Sequence, residues 1–569
     1  MAGTGPPPTS KSSLAASTDS FGECLKLLKG PSDEHRFVGL LFLAKTLQNR
    51  APSQDSNVAA GSGTEANSTD GGCFGIKDAR KLIFEALGGD FLRRLFVATP
   101  PGGNEKATAS QTYRDLALVI LSYLFEDQEV AKTFLDINDQ LLSHFCSVNA
   151  RNREETAQCL VALCRANPTI VTKALASSLN GSVRTTQALA AELKSSASSH
   201  TSKVCAMYLL TQLCRSDSKG DLQQPDAKAC VEALSIAFAT ITESSLVFDA
   251  MAALALFFEN GSNALEATSP GKSGWEDFIH EGLFRMMRNK IPMKHRPNLF
   301  RLLNYMVSSQ QSSWCISRGL ARANRKPSDF CVLMAKLVMI ESRVNSDDIA
   351  RVVVDDGSKD KAAARKSLDT MASCYGIVEH SVVHLLATEE DSSNKEASMM
   401  WKDLPAGKLL MLRDSFVDVV NASLDIVDYA GKALKANGCS FDGPNLGLVE
   451  ALSVCFRLIS TWMSVDAGSI LDHVLNIIGS LETIVVHCEV KGPSRNILEY
   501  CLPTVAIVID DFGAREDFDK TVLVPKLREF EAMIARSYEN AGHRAEGLSD
   551  QSLREMGSML KHVLQVLEY

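Results

Sequence analysis

The chain has 569 residues, of which 45% are hydrophobic but only 7% aromatic, and its formal net charge is −9. That length can bury a large core, as several domains or as one long repeat array, and the shortage of aromatic residues suits helix interfaces of Leu, Ala and Val better than an aromatic-rich sandwich. The acidic balance argues against a general nucleic-acid binder, which needs basic surface to displace counterions, and favours a soluble cytosolic chain.

In chain order, Met1 to Asp19 is Pro, Ser, Thr and Ala without periodicity and reads as a disordered tail. Ser20 and Glu23 have capping-box spacing, and Glu23 to Leu47 (ECLKLLKGPSDEHRFVGLLFLAKTL) reads as a helical hairpin. Its second half places Phe37, Leu40, Leu41, Ala44 and Leu47 on one apolar stripe, with Cys24, Leu27 and Leu28 facing it from the first half. Between them Gly30-Pro31-Ser32 supplies a helix stop, a first-turn proline and a capping serine. Two such helices leave apolar surface open, so a further pair must stack on them. Residues 50–72 have almost nothing to bury and read as a disordered insert.

Helical patterns resume at 76–87, 91–97 and 113–125, and then follow one another with short breaks to residue 260, a helix-turn-helix cadence. Irregular stretches are expected near 264–274, 355–361 and 389–407, with Ser273 and Glu276 spaced to cap the helix after the first. Helices return at 409–434, 446–463, 470–486, 497–509, 522–538 and 551–567. The β-branched clusters Val352-Val353-Val354 and Ala506 to Ile509 are better read as helix than strand, although the first also suits a strand fragment. The pattern gives an all-α fold, an armadillo-like α-solenoid of stacked helical hairpins running continuously over residues 20–569.

The hairpin signature CLKLLKGPSDEHRFVGLLFLAKTL resembles the start of the neurochondrin family of atypical armadillo-like scaffold proteins. Asp90-Phe91-Leu92-Arg93-Arg94-Leu95 and YRDLALVILSYLFEDQEVA (113–131) agree with it; beyond Ala131 the likeness is one of helical character. The resemblance implies a non-enzymatic adaptor. In animals, members of the family are implicated in neuronal signalling, binding receptor tails and restraining phosphorylation of calmodulin-dependent kinase.

Motifs that carry chemistry are weak. The 15 cysteines form no Cys-x-x-Cys and sit in segments such as QCLVALC (158–164), so they read as buried hydrophobes in a reducing compartment. His380 and His384 are one helical turn apart, but Cys374, Tyr375, Val378, Val382, Leu385 and Leu386 define the opposite, buried side and a third ligand is missing. Gly271-Lys272-Ser273 lacks the earlier glycine of a phosphate loop, because Glu266 stands there. Asp510, Asp511, Glu516, Asp517 and Asp519 lack calcium-loop spacing and read as a solvated helix end. Neither metal nor cofactor is expected. The longest apolar run, Gly447 to Val465, is interrupted by Glu450 and Arg457, so no membrane span is expected. A nuclear-transport type of armadillo adaptor needs a ladder of Trp with Asn four residues on; Trp275, Trp314, Trp401 and Trp462 are followed there by Ile279, Arg318, Pro405 and Asp466. An enzyme with a site between helices is the other alternative, and no motif supports it.

One stretch departs from the rest. From Arg285 to Lys326 there are ten Lys and Arg residues and no Asp or Glu. Arg285, Arg288, Lys290, Lys294 and Arg296, with Arg318, Arg322, Arg325 and Lys326 about one repeat later, are expected to form a basic strip that binds protein. Solvated helix ends are the plainer explanation. The expected ligand is an acidic or phosphorylated protein segment, then anionic lipid headgroups, and last RNA, for want of stacking aromatics.

Overall fold

The computed structural model describes residues 22–49, 76–97, 104–147, 152–167, 184–195, 198–216, 224–242, 244–259, 274–309, 327–354, 361–387, 404–437, 446–488, 495–512, 518–541 and 549–568. The expected tail 1–19 and insert 50–72, and nearly all of the three expected loops, lie outside these. Among the described residues every regular element is a helix, including the segments that hold Val352 to Val354 and Ala506 to Ile509. The chain forms two compact units that divide inside one helix, between Ala237 and Phe238.

The first unit holds α1 (22–28), α2 (Asp33–Asn49), α3 (Ile76–Leu87), α4 (Gly89–Val97), α5 (Asn104–Leu124), α6 (Gln128–Lys132), α7 (Asn138–Cys146), α8 (Arg153–Ala166), α9 (Arg184–Lys194), α10 (His200–Ser216) and most of α11 (Gln224–Thr240). Helices α5, α8 and α10 pack side by side in one layer, and α4, then α6 and α7, then α9 back them in a second. A middle helix therefore needs apolar residues on several flanks. In α8 Ala157, Cys159, Leu160, Val161, Leu163 and Cys164 are all buried, and Glu154 and Glu155 sit in the first turn where the helix dipole favours them. Ion pairs link successive repeats, Arg153 to the nearly buried Glu192 at 3.0 Å and Lys194 to Glu232 at 3.1 Å.

The opening hairpin forms as its turn chemistry predicts, with one correction. Ser32 Oγ accepts the His35 amide at 3.3 Å, and a side chain at Gly30 would stand 2.5 Å from His35 Cβ, so the turn requires glycine. Gly39 lets α2 lie against Leu28 of α1, and Cys24 Sγ donates to the Gly39 carbonyl at 3.4 Å. Leu41, expected in the buried stripe, is 47% exposed; Leu40, Leu43 and Ala44 make the buried seam and Phe37 is half-buried against Tyr113. The reason is that α2 is the first long helix of the array. It is covered by α1 and α5, α4 reaches its first turns through Arg94 with Asp33 and Phe91 beneath Arg36, and the flank with Leu41 faces outward.

The second unit continues from Phe238 with α12 (Ser244–Glu259), α13 (Trp275–Met287), α14 (Arg296–Ser309), α15 (Pro327–Val354), α16 (Lys361–Ala387), α17 (Ala406–Asn437), α18 (Leu446–Asp466), α19 (Leu471–Asn476), α20 (Ile478–His487), α21 (Arg495–Phe512), α22 (Lys520–Ala541) and α23 (Ser549–Glu568). One layer runs α13, α15, α17, α20, α22, each on the next, and the other runs α12, α14, α16, α18, α21, α23. The hairpins α15–α16, α17–α18, α20–α21 and α22–α23 bridge the layers as rungs. This is an armadillo-like α-solenoid of stacked helical hairpins. The single helix expected at 470–486 is broken at Ile477 into α19 and α20. At the start of α13 the capping position is Gly274, with φ 73° and no side-chain cap, in place of the expected Ser273, which lies outside the described residues.

Two glycines mark close approaches between neighbouring helices within a layer: a side chain at Gly376 of α16 would stand 2.5 Å from Asn304 Oδ1 of α14, and one at Gly431 of α17 would stand 2.5 Å from Ser480 Cβ of α20. Gly447–Ser469, centred on α18, is long and apolar enough by length and composition to cross a membrane, but it is packed against α16, α17 and α21. Its charges are used inside the fold, Arg457 on Glu379 at 2.9 Å and Glu450 on Arg365. Most of the described cysteines are buried. Burial pushes the half-buried Cys146 thiol up to about 11 and the buried Cys164, Cys331 and Cys501 thiols up to about 12, which favours the neutral, protonated form.

Candidate protein-binding surface

The basic stretch begins in α13, continues through its connection to α14, and in the described residues ends with Arg301 in α14. The connection is held from both sides. The Arg288 and Asn289 amides close the end of α13 on the Phe284 and Met286 carbonyls, and Ile291 is buried beneath a short 3-10 turn, Met293–His295. The His295 ring lies flat on Phe248, centroids 4.0 Å apart, and burial holds its pKa below the usual histidine value, helped by nearby Lys294 and Lys366 and opposed by Asp249.

The cations of this stretch divide into two groups. Arg285 donates from Nη2 to the Phe238 carbonyl at 2.5 Å, and burial lowers its pKa. Arg296 bonds the Ile291 carbonyl at 3.3 Å and pairs with the nearly buried Glu341 at 2.9 Å. Arg301 pairs with Glu259 at 3.5 Å and Asp369 at 3.2 Å. These three guanidiniums hold helices together. Arg288, Lys290 and Lys294, by contrast, are exposed, with the Arg288 guanidinium 5.6 Å from the Phe284 ring and Met293 beside them 65% exposed. Lys366 of α16, exposed and close enough to act on His295, adds a fourth cation that no reading of the stretch alone includes. Arg318, Arg322, Arg325 and Lys326 lie outside the described residues. The surface is therefore a corner of exposed cations around a projecting methionine, able to hold an anionic segment by charge and its apolar side chains by contact.

The weaker sequence motifs separate similarly. His380 is exposed on α16 while Cys374, Tyr375, Val378 and Val382 are buried, as the helix periodicity requires; the His384 side chain lies outside the described residues. Asp519 caps α22, accepting from the Thr521 amide at 3.0 Å and hydroxyl at 2.6 Å, which lowers its pKa. Asp510 accepts from His562 Nε2 at 2.6 Å. Gly271-Lys272-Ser273 is outside the described residues. Among the described residues no group of three or more His, Cys, Asp or Glu is placed to hold a metal ion.

Among solved structures the chain is similar to a crystal complex of SYS-1 with POP-1, at 11% identity and a TM-score of 0.48 over 96% of this chain and 99% of that one. SYS-1 alone gives 9% identity and a TM-score of 0.41 over the same shares, and Kap95p bound to RanGDP gives 11% and 0.34 over 98% of this chain and 71% of that one. Similarity at this level says nothing about what the chain binds. Among curated proteins nothing matches. The family model for neurochondrin matches residues 75–412, more than half of the chain, and includes DFLRRL (90–95), YRDLALVILSYLFEDQEVA (113–131) and the whole described basic surface. The chain, an all-helical solenoid matched over that span, belongs to the neurochondrin family.

Proposed function

We propose that the chain is a non-enzymatic, cytosolic scaffold that binds other proteins through its helical surfaces, with the connection between α13 and α14 receiving an acidic or phosphorylated segment of a partner. The observation that carries this reading is the set Arg288, Lys290 and Lys294, exposed on one short connection while the neighbouring Arg285, Arg296 and Arg301 are occupied within the fold. Lys366 extends the positive field from the next helix of the layer, and Met293 offers apolar contact beside it. Four cations on a surface of this kind steer and hold a polyanionic segment, each contact being screened by salt over roughly 8 Å at physiological ionic strength. The finer reading, a signalling adaptor of the kind that membership of the neurochondrin family suggests, rests on the family alone.

The test compares the intact chain with the variant Arg288→Glu, Lys290→Glu, Lys294→Glu. Capture of partners from the protein's own cells, followed by a direct binding assay with an acidic peptide from the recovered partner, should be lost in the variant and weakened by salt in the parent. Equal capture by both at low salt overturns the reading. Binding that survives only on anionic vesicles and never on a peptide overturns the choice of a protein ligand. All three positions are exposed and among the described residues make no ion pair, so the variant should melt with the parent.

A further inference from the structure

A second surface lies in the first unit, on α5, α6, α8 and α10. The outward side of α8 forms a groove of about 450 Å³, bounded by the end of α5 with the start of α6 and by the first turns of α10. Its floor is apolar where Val161 and Phe125 close it, and its rim carries Ser122, Gln128, Gln158 and Arg165. The acidic groups around it are already engaged. Glu126 is paired with Arg80, and Glu154 accepts the Thr201 hydroxyl at 2.8 Å. Gln128, Gln158 and Arg165 are exposed, and among the described residues none of the three has a hydrogen-bond or ion-pair partner.

Those three groups specify a ligand chemistry. A glutamine amide offers donors and an acceptor together, which is what the unpaired N–H and C=O groups of an extended peptide need. An arginine without a carboxylate partner offers a planar fork for one carboxylate or phosphate. Neighbouring helices in a layer stand roughly 8–10 Å apart, so a strand crossing from the α5 side over α8 to α10 spans about five or six extended residues. A single open arginine is too little for a nucleic acid backbone, which binds through many phosphate contacts.

We propose that this groove binds an extended peptide segment, with Gln128 and Gln158 bonding its backbone and Arg165 bonding one acidic side chain. The proposal shares with the reading above the premise that the chain binds proteins, but it uses residues of the other unit, so charge reversal at Arg288, Lys290 and Lys294 leaves this site untouched.

The test uses the full chain and a positional library of blocked decapeptides in which Glu, phosphoserine, Lys or Ala is fixed at each position in turn, read by fluorescence anisotropy. The parent should select Glu or phosphoserine over Ala at one position, the two acidic arms showing which oxyanion fits better. Arg165→Glu should invert that selection to Lys at the same position, Arg165→Gln should abolish it while keeping the remaining affinity, and Gln158→Ala should weaken every peptide by about tenfold. Parallel melts of the variants show whether each is folded, and because Arg165 is exposed the Gln variant keeps the test open if the Glu variant is not. A parent that binds Ala and Glu peptides equally, or an Arg165→Glu variant that selects as the parent does, overturns the proposal.

Discussion

Gly431→Ala sets two well-known effects against each other inside the second unit. Gly431 lies in the interior of α17, where alanine is favoured over glycine by about 0.8–1.0 kcal/mol on helix propensity. Against that, an added Cβ would stand 2.5 Å from Ser480 Cβ, 2.6 Å from its Cα and 2.7 Å from its carbonyl oxygen. Two of those three atoms are backbone and cannot rotate away. The approach is also fixed by Ser480 Oγ, which donates to Asp428 Oδ1 at 2.7 Å and to the Asp428 carbonyl at 3.2 Å. Relief therefore requires α17 and α20 to part by nearly an ångström, and a gap of 0.5–1 Å forfeits about a quarter to a half of the dispersion attraction of the atoms involved. Overpacking of this kind costs about 1–3 kcal/mol and more when backbone must move, so the variant should be net destabilised by about 1–2 kcal/mol or more after the propensity gain.

The comparison that isolates the cause is Gly557→Ala, also inside a helix, where the nearest atom to an added Cβ is the Ile534 Cγ2 methyl at 3.4 Å. There the propensity gain survives, and stability should stay level or rise by up to about 1 kcal/mol. All four tryptophans lie beyond Phe238, so urea unfolding followed by intrinsic fluorescence reports the second unit. If Gly431→Ala unfolds at or above the parent's midpoint, or Gly557→Ala falls as far as Gly431→Ala, the close approach of α17 and α20 is not what selects glycine.

The other expectations are narrower. Leu40→Asp should be severely destabilising, by about 3 kcal/mol or more, because it buries a charge, whereas Leu41→Asp should cost less than about 1 kcal/mol; equal losses in a thermal melt would refute the α2 packing. Arg457→Met removes the partner of the mostly buried Glu379, whose pKa burial raises above the usual carboxylate value even while Arg457 draws it down. A carboxyl with a raised folded pKa contributes its stability fully below the unfolded value and loses it as pH rises through the folded one. The variant, which leaves burial unopposed, should lose about 1–3 kcal/mol at neutral pH and clearly less at a pH close to the unfolded carboxyl pKa; a loss independent of pH, read by urea unfolding at both, would show that Glu379 does not titrate in this way.

Periodicity reached most of the fold because a solenoid is built from local patterns: each helix meets its neighbours through stripes spaced three and four residues apart. The helix at Ile76–Leu87 has the bounds its pattern gives, and most others differ by a few residues at their ends. The failures have physical causes. Leu41 sits at the proper spacing for the stripe, but burial of that flank depends on a neighbour, and among the described residues α1, α4 and α5, which all touch α2, leave Leu41 exposed. The break at Ile477 falls within the amphipathic run LDHVLNIIGSLE (471–482), which carries no proline to announce it. The opening hairpin carries the more specific family resemblance, yet the matched span starts after it, at residue 75, and takes in the two later pieces.

The basic stretch was legible only in part, for a reason that belongs to the architecture. In stacked hairpins a side chain's ionic partner comes from an adjacent repeat, about forty residues away in sequence. Arg296 finds Glu341 45 residues on, and Arg301 finds Glu259 42 residues back and Asp369 68 residues on. A window as long as one repeat can thus contain no acid and still be partly neutralised, since the compensation lies outside it. It can also understate the field, because Lys366 joins the same surface from the following repeat. The same relation governs the groove on α8: Arg153, at the start of that helix, is satisfied by Glu192 one repeat on, whereas Arg165, at its end, meets no carboxylate among the described residues. In this fold an arginine marks a binding site only when the repeats before and after it both leave it open, and that is a property of the stack, which no single stretch of the chain displays.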